Sequence, residues 1–254
     1  MSRTKNQSRV QSQAQDQAQA SPSLWLVVTA DVVRSRRLAP RAQAQERIQK
    51  ALAALNQSPL FGVDRQFLAA AFTLGRGDEI QGVLTATAPL LPILRHLRHA
   101  LQPARLRIGI GLGEIETPTN PDSSWQMDGP AFRLAREALE GLGHTVLPRT
   151  RLRLGLGSGF GHGPDAEEVH RHAERRFNTL LSLYDEIMRH WTQRQWEAVA
   201  VLEEAGTLRA AADKLGIAPQ NVHKRVQAAG WGSIQEAEKL VTGELNMLLR
   251  TCYR

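Results

Sequence analysis

Residues 192–231, TQRQWEAVAVLEEAGTLRAAADKLGIAPQNVHKRVQAAGW, leave the chain few ways to fold. Trp196, Val199, Ala200 and Leu202 recur at helical spacing. Gly206-Thr207 ends that helix and offers a fresh N-cap. Leu208, Ala211, Ala212 and Leu215 mark a second helix, and small Ala212 lets two helices cross closely. Gly216 supplies a chain reversal that glycine takes at low cost. Ile217 plugs the core, and Pro219 suits the first turn of a third helix, which Val222 and Val226 orient inward. This is helix-turn-helix spacing. The outer face of the third helix then carries Gln220, Asn221, His223, Lys224, Arg225 and Gln227, with no acid. Gln and Asn pair with adenine edges, while Lys and Arg meet guanine or phosphate. Double-stranded DNA is therefore the expected partner, and those six residues the expected contacts. One such unit covers a half-site, so a homodimer is expected. A last amphipathic helix follows over residues 232–250.

Upstream, the periodicity alternates between strand and helix. Leu24 to Val28 is a short apolar run ending at Asp31, a buried strand. Residues 41–56 have helical spacing at Ile48, Ala51, Leu52 and Leu55. Residues 66–74 and 78–85 read as two strands joined by the glycine-rich turn in TLGRGDEIQG (73–82), residues 89–101 as a helix, and 105–113 as a fourth strand. Strand, helix, strand, hairpin, strand, helix, strand is the split βαβ order of ferredoxin-like folds. A helix over 129–141 and a strand over 151–159 follow; six of nine residues in RLRLGLGSG match RLRIGIGLG at 105–113. From Asp165 a long helix carries an apolar stripe that includes Val169, Phe177, Tyr184 and Trp191. His96 and His99 lie on a basic helix face and read as solvated. The fold class is α+β: a ferredoxin-like, palm-like domain and then an all-α helix-turn-helix domain.

In that order the end of the first strand lies beside the hairpin, which brings Asp31 near Asp78 and Glu79. Clustered carboxylates at strand ends suit hard divalent cations, so Mg²⁺ or Mn²⁺ is the expected cofactor at these three residues. The competing reading is a hairpin aspartate bonded to its own turn. TADVVRS (29–35), TLGRGDEIQGVL (73–84), RIGIGLGEIET (107–117) and DGPAFRLAREAL (128–139), followed by the helix-turn-helix, resemble the SatD family of bacterial proteins over most of residues 24–250. The carboxylate pair more distantly resembles the palm of class III nucleotide cyclases and diguanylate cyclases. Those cyclases steady the transition state with an Asn and an Arg; this chain has Arg133 and Glu137 there. The resemblance implies a nucleotide ligand, its phosphates held by Arg133 and Arg136. The segment 192–231 is also similar to the helix-turn-helix of sigma-factor region 4.

Composition sets the limits. Residues 1–22 are Gln, Ser and Ala rich with little to bury, so they read as a disordered tail. The divisions that follow are a domain over 23–160, a connecting helix over 161–190 and a DNA-binding domain over 191–254. The net charge of +7 permits an anionic partner. Its excess is spread: three Lys/Arg against one acid in residues 1–22, and eight against seven in residues 190–254. Cys252 is the sole cysteine, which excludes an internal disulfide, and no apolar run approaches a membrane span. A cytoplasmic location without membrane attachment is expected. Two functions stay open: a DNA-binding transcriptional regulator whose palm-like domain senses a nucleotide or metal or dimerises, or a metal-dependent enzyme of nucleotidyl transfer or cyclisation.

Overall fold

A computed structural model describes residues 24–33, 41–75, 78–143, 147, 149–155 and 164–252. The expected tail over 1–22, the turn residues Arg76 and Gly77, and the segment 156–163 lie outside the described residues. The elements run β1 (Leu24–Val32), α1 (Arg41–Leu55), β2 (Leu68–Leu74), β3 (Glu79–Thr85), α2 (Leu90–Ala100), β4 (Leu106–Glu114), α3 (Pro130–Glu140) and β5 (Arg149–Leu154). Helices α4 (Pro164–Arg189), α5 (Gln193–Ala205), α6 (Leu208–Leu215), α7 (Pro219–Ala228) and α8 (Trp231–Cys252) complete the chain.

One sheet has the order β2-β3-β1-β4-β5. The first four strands are antiparallel, as the split βαβ order dictates, and β5 returns through α3 to lie parallel to β4. The fold is α+β. Central β1 is covered on both faces: Leu26, Val28, Ala30 and Val32 enter the main core, and Val27 enters a second core with Ala131 and Ala135 of α3. Each Leu or Val side chain among them contributes about 1.5–3 kcal/mol on full burial.

Helix α3 sits unusually close to the sheet. Gly109, Gly111 and Gly113 alternate along β4 on the α3 side. A Cβ on Gly109 would fall 2.2 Å from the Ala135 carbonyl oxygen, and one on Gly111 2.0 Å from that of Ala131. The glycines are thus a groove in the sheet, filled by helix backbone.

Helix α4 closes the β5 edge. The Asn178 side chain accepts from Leu152 N (2.8 Å) and donates to Leu152 O (2.9 Å), as a neighbouring strand would. Glu174 accepts from Leu154 N (2.8 Å), and His170 Nε2 lies 2.9 Å from Leu154 O. Residues four apart on a helix share a face, so one polar stripe satisfies a run of edge groups. A second stripe of α4, Phe177, Leu181, Tyr184 and Met188, is buried with Trp191 just beyond it. Val169, on the expected apolar stripe, is 57% exposed, and Leu240 of α8 is 49% exposed. Among the described residues no helix is long and apolar enough to cross a membrane.

Candidate functional site

Thr192 opens α5 with a capping box to Gln195, and Gly206 closes it in the left-handed region at φ 73°. Thr207 caps α6 by accepting from Ala210 N. At its end Gly216 adopts φ 63°, and Ile217 N donates to Ala212 O at 3.1 Å. That bond reverses the chain within a few residues. Pro219 then starts α7. Val199, Ala211, Ala212, Val222 and Val226 are buried in this three-helix unit, and Trp196 is buried against Trp191 and the His99 ring. Gln220, Asn221, His223, Lys224 and Gln227 are exposed, and Arg225 is half-buried. None of these six side chains has a hydrogen bond or ion pair among the described residues. No side chain caps the α7 N-terminus, which leaves backbone donors of its first turn open.

The carboxylate edge is organised differently. Asp31 stands opposite Glu79 on β3 and Arg107 on β4. It pairs with Arg107 at 2.7 Å, while Glu79 pairs with Arg136 of α3 at 2.9 Å. Arg133 faces Glu116 at 3.5 Å. Asp78 sits half-buried in the turn before β3. The strand order therefore brings Asp31 and Glu79 together, and each carries an arginine. Arg107 also donates to Gly143 O. Among the described residues no group of three His, Cys, Asp or Glu side chains is placed to hold a metal ion. With the arginines in place, two of the three expected oxygen donors, Asp31 and Glu79, are each already paired with a cation. Arg133 and Arg136 are likewise engaged with carboxylates.

Two glycines of TLGRGDEIQG have a packing reason that turn chemistry does not supply. A Cβ on Gly75 would lie 2.3 Å from the Trp125 ring, and one on Gly82 2.7 Å from the Phe72 ring. Trp125 is fixed there by its Nε1–H bond to Thr73 Oγ1 at 2.9 Å. Beneath it Ser124 donates to buried Gln81 at 2.9 Å.

The helices after β5 are tied to the sheet domain through α2. Arg95 is 2% exposed and makes two bonds to Glu203 of α5 (2.5 and 2.6 Å) and two to Glu238 of α8 (2.8 and 3.5 Å), over the Trp231 ring. Burial alone would lower its pKa, but the two carboxylates leave it raised. Tyr184 of α4 donates to Glu238 at 2.6 Å. Burial and the Glu238 charge push this phenol well above its ordinary range. Burial would raise Glu203, yet bonds from His96 and Arg95 leave it lowered. The expectation of solvated histidines fails for His99. Its ring stacks on Trp196 at 5.7 Å and 6°, and burial, then His96 and Arg95, lower its pKa. Arg98 joins Leu106 O, Thr150 and Asp185 of α4, the last at 2.8 Å. Burial raises the Asp185 carboxyl against the pull of Arg98. The basic face of α2 reads as solvent-facing because its partners are remote in sequence: Glu203 and Glu238 lie 108 and 143 residues from Arg95, and Asp185 lies 87 from Arg98.

Among solved structures, a bacterial light-regulated adenylyl cyclase is 13% identical with a TM-score of 0.35, over 61% of this chain and 56% of that one. A regulator of polyketide synthase expression from Bifidobacterium adolescentis is 14% identical with a TM-score of 0.24, over 97% and 88%. This chain therefore spans little more than half the length of the cyclase, and neither likeness bears on function. No curated protein matches the chain in sequence. The SatD family model matches residues 25–235, most of the chain and nearly all of its described elements. The chain belongs to the SatD family.

Proposed function

We propose that this chain is a cytoplasmic transcriptional regulator that binds double-stranded DNA through α7 and acts as a homodimer. The observation that carries the reading is the outer face of α7. It presents Gln220, Asn221, His223, Lys224, Arg225 and Gln227 without an acid and without an internal partner, on a framework fixed by buried Ala211, Ala212, Val222 and Val226. No Asp or Glu occurs between Asp213 and Glu236. Side chains held in position yet unpaired are what groove readout requires, because no internal bond need break on binding. The open first-turn donors of α7 suit a backbone phosphate. The division at residues 23–160, 161–190 and 191–254 is part of this reading, the first unit serving as a sensing or dimerising module. The metal-dependent alternative has no comparable support, since Asp31 and Glu79 are held by Arg107 and Arg136.

The test is DNA binding by the full chain across a salt series, with Lys224→Ala and Arg225→Ala. Each lost phosphate contact lowers affinity and reduces the slope of log K against log salt by about 1. A wild-type chain with no salt-dependent DNA affinity, or variants with wild-type affinity and slope, would refute the proposal.

A further inference from the structure

An open groove of about 620 Å³ runs along the β5 edge, between α4 and the turn after α3. Arg149 and Arg151 of β5 and Arg171 and Arg175 of α4 line it, and Glu174 is the one acid among its described lining residues. Arg149 and Arg151 alternate with buried Thr150 and Leu152, and Arg151 stands beside Gly109, so both lie on the α3 side of the sheet. Arg171 and Arg175 are one turn apart on α4, and both are exposed. The arginines of α2, β4 and α3 each hold a carboxylate. Those of the groove do not. Arg149 donates to Ser182 Oγ and Arg151 to Gly141 O, both at 3.1 Å and both neutral acceptors. Arg171 and Arg175 have no hydrogen bond or ion pair among the described residues. Glu174 does not offset them, because it accepts from Leu154 N and pairs with a fifth arginine, Arg153, at 3.4 Å. Four like charges lining one concave surface raise a positive potential that an anion relieves.

The occupant must carry several negative charges in a small volume. The groove lies within the range of small-molecule sites, about 300–1,000 Å³. Planar guanidinium groups fit phosphate with paired N–H donors. An extended acidic peptide has no strand to join here, since Asn178, Glu174 and His170 already take the groups at Leu152 and Leu154. We propose that this groove binds a short chain of phosphates, carried by a nucleoside triphosphate or free as tripolyphosphate. Leu183, 59% exposed in the lining, offers a nucleoside an apolar contact that free tripolyphosphate does not use. An occupant bonded to arginines of both β5 and α4 holds that helix against the sheet edge. No residue of α7 lines the groove, so the site stands apart from the DNA-binding reading and does not depend on it.

The experiment titrates the full chain with tripolyphosphate, ATP and orthophosphate by calorimetry, and follows amide hydrogen exchange as a second readout. Tripolyphosphate and ATP are expected to bind about tenfold or more tighter than orthophosphate. Tighter binding of ATP assigns the site to a nucleotide, and equal affinity assigns it to the phosphate chain alone. Arg171→Ala with Arg175→Ala removes two exposed side chains that hold nothing in the fold, and is expected to weaken both ligands by about tenfold or more. Arg47→Ala, an exposed arginine outside the groove, is expected to change neither. Saturating tripolyphosphate is expected to slow exchange of the Leu152 and Leu154 amides, whose acceptors belong to α4. The proposal is overturned if tripolyphosphate does not bind in the millimolar range, or if its binding leaves those amides unchanged. It is equally overturned if the double variant binds as tightly as the parent, or if Arg47→Ala weakens binding as much. A double variant that loses affinity for duplex DNA yet keeps tripolyphosphate would mark the groove as a nucleic-acid surface and overturn it as well.

Discussion

Replacing Gly111 with alanine tests how tightly α3 is seated on the sheet. The added Cβ would lie 2.0 Å from Ala131 O and 2.6 Å from Ala135 N. Both are helix backbone atoms, so no rotamer change relieves the overlap, and α3 must lift as a body. Overpacking of this kind costs about 1–3 kcal/mol, and the backbone contact places Gly111→Ala at the upper end. Reduced freedom of the unfolded chain returns only about 0.4–1 kcal/mol. A net loss of about 2–3 kcal/mol lowers Tm by roughly 4–12 °C in a chain of this size. Gly113 supplies the control two residues along the same strand and face. Its added Cβ would meet Ala131 N at 3.3 Å, a distance that a shift of a few tenths of an ångström relieves. Gly113→Ala is therefore expected to stay within about 1 kcal/mol of the parent. Thermal melts followed by circular dichroism at one protein concentration decide the matter. Equal Tm values for the two variants would refute the close seating of α3 on β4.

Two further outcomes follow from the junction at α2. Arg95→Ala leaves Glu203 and Glu238 without their shared cation and is expected to cost about 3–5 kcal/mol in urea unfolding, with Arg95→Met plus Glu238→Gln recovering part of it; a loss under about 1 kcal/mol would count against the network as a tie between α2, α5 and α8. His99 has a pKa below its ordinary 6.5, so the unfolded chain takes up this proton first, and the stability His99 contributes above pH 6.5 declines as pH falls through the lowered value. Comparing His99→Phe with the parent from pH 8 to 5 should show that difference shrinking in acid, and a difference independent of pH would refute it.

The strands and helices were readable because each repeats its own period: alternation in β4, helical spacing in α1 and α3, and caps at Thr192, Gly206, Thr207 and Gly216 where the chain changes direction. The strand order was readable for the same reason, since few topologies connect that sequence of elements. Partners were not. Asp31 as a strand-end acid suggests a cation site until Arg107 is seen beside it, and the arginine lies 76 positions away. The glycines of TLGRGDEIQG suggest a turn; that Gly75 lies under Trp125 depends on a loop folding back across 50 residues. Arg95 and Arg98 look like a solvated stripe because a charge pattern records what a helix carries and leaves out what is packed on it. The arginine groove has no local signature at all: its lining comes from β5, α4 and the turn after α3.

Asn178, Glu174 and His170 give β5 a substitute neighbour made of side chains. An extended segment approaching that strand would compete with α4 for the same amide and carbonyl groups at Leu152 and Leu154. While α4 is docked, two copies of the chain cannot join by continuing the sheet across β5, and a symmetric pair must meet elsewhere. Once α4 peels away, Leu152 and Leu154 become a bare template. Detachment of this one helix would then turn a capped edge into a seed for fibrillar growth.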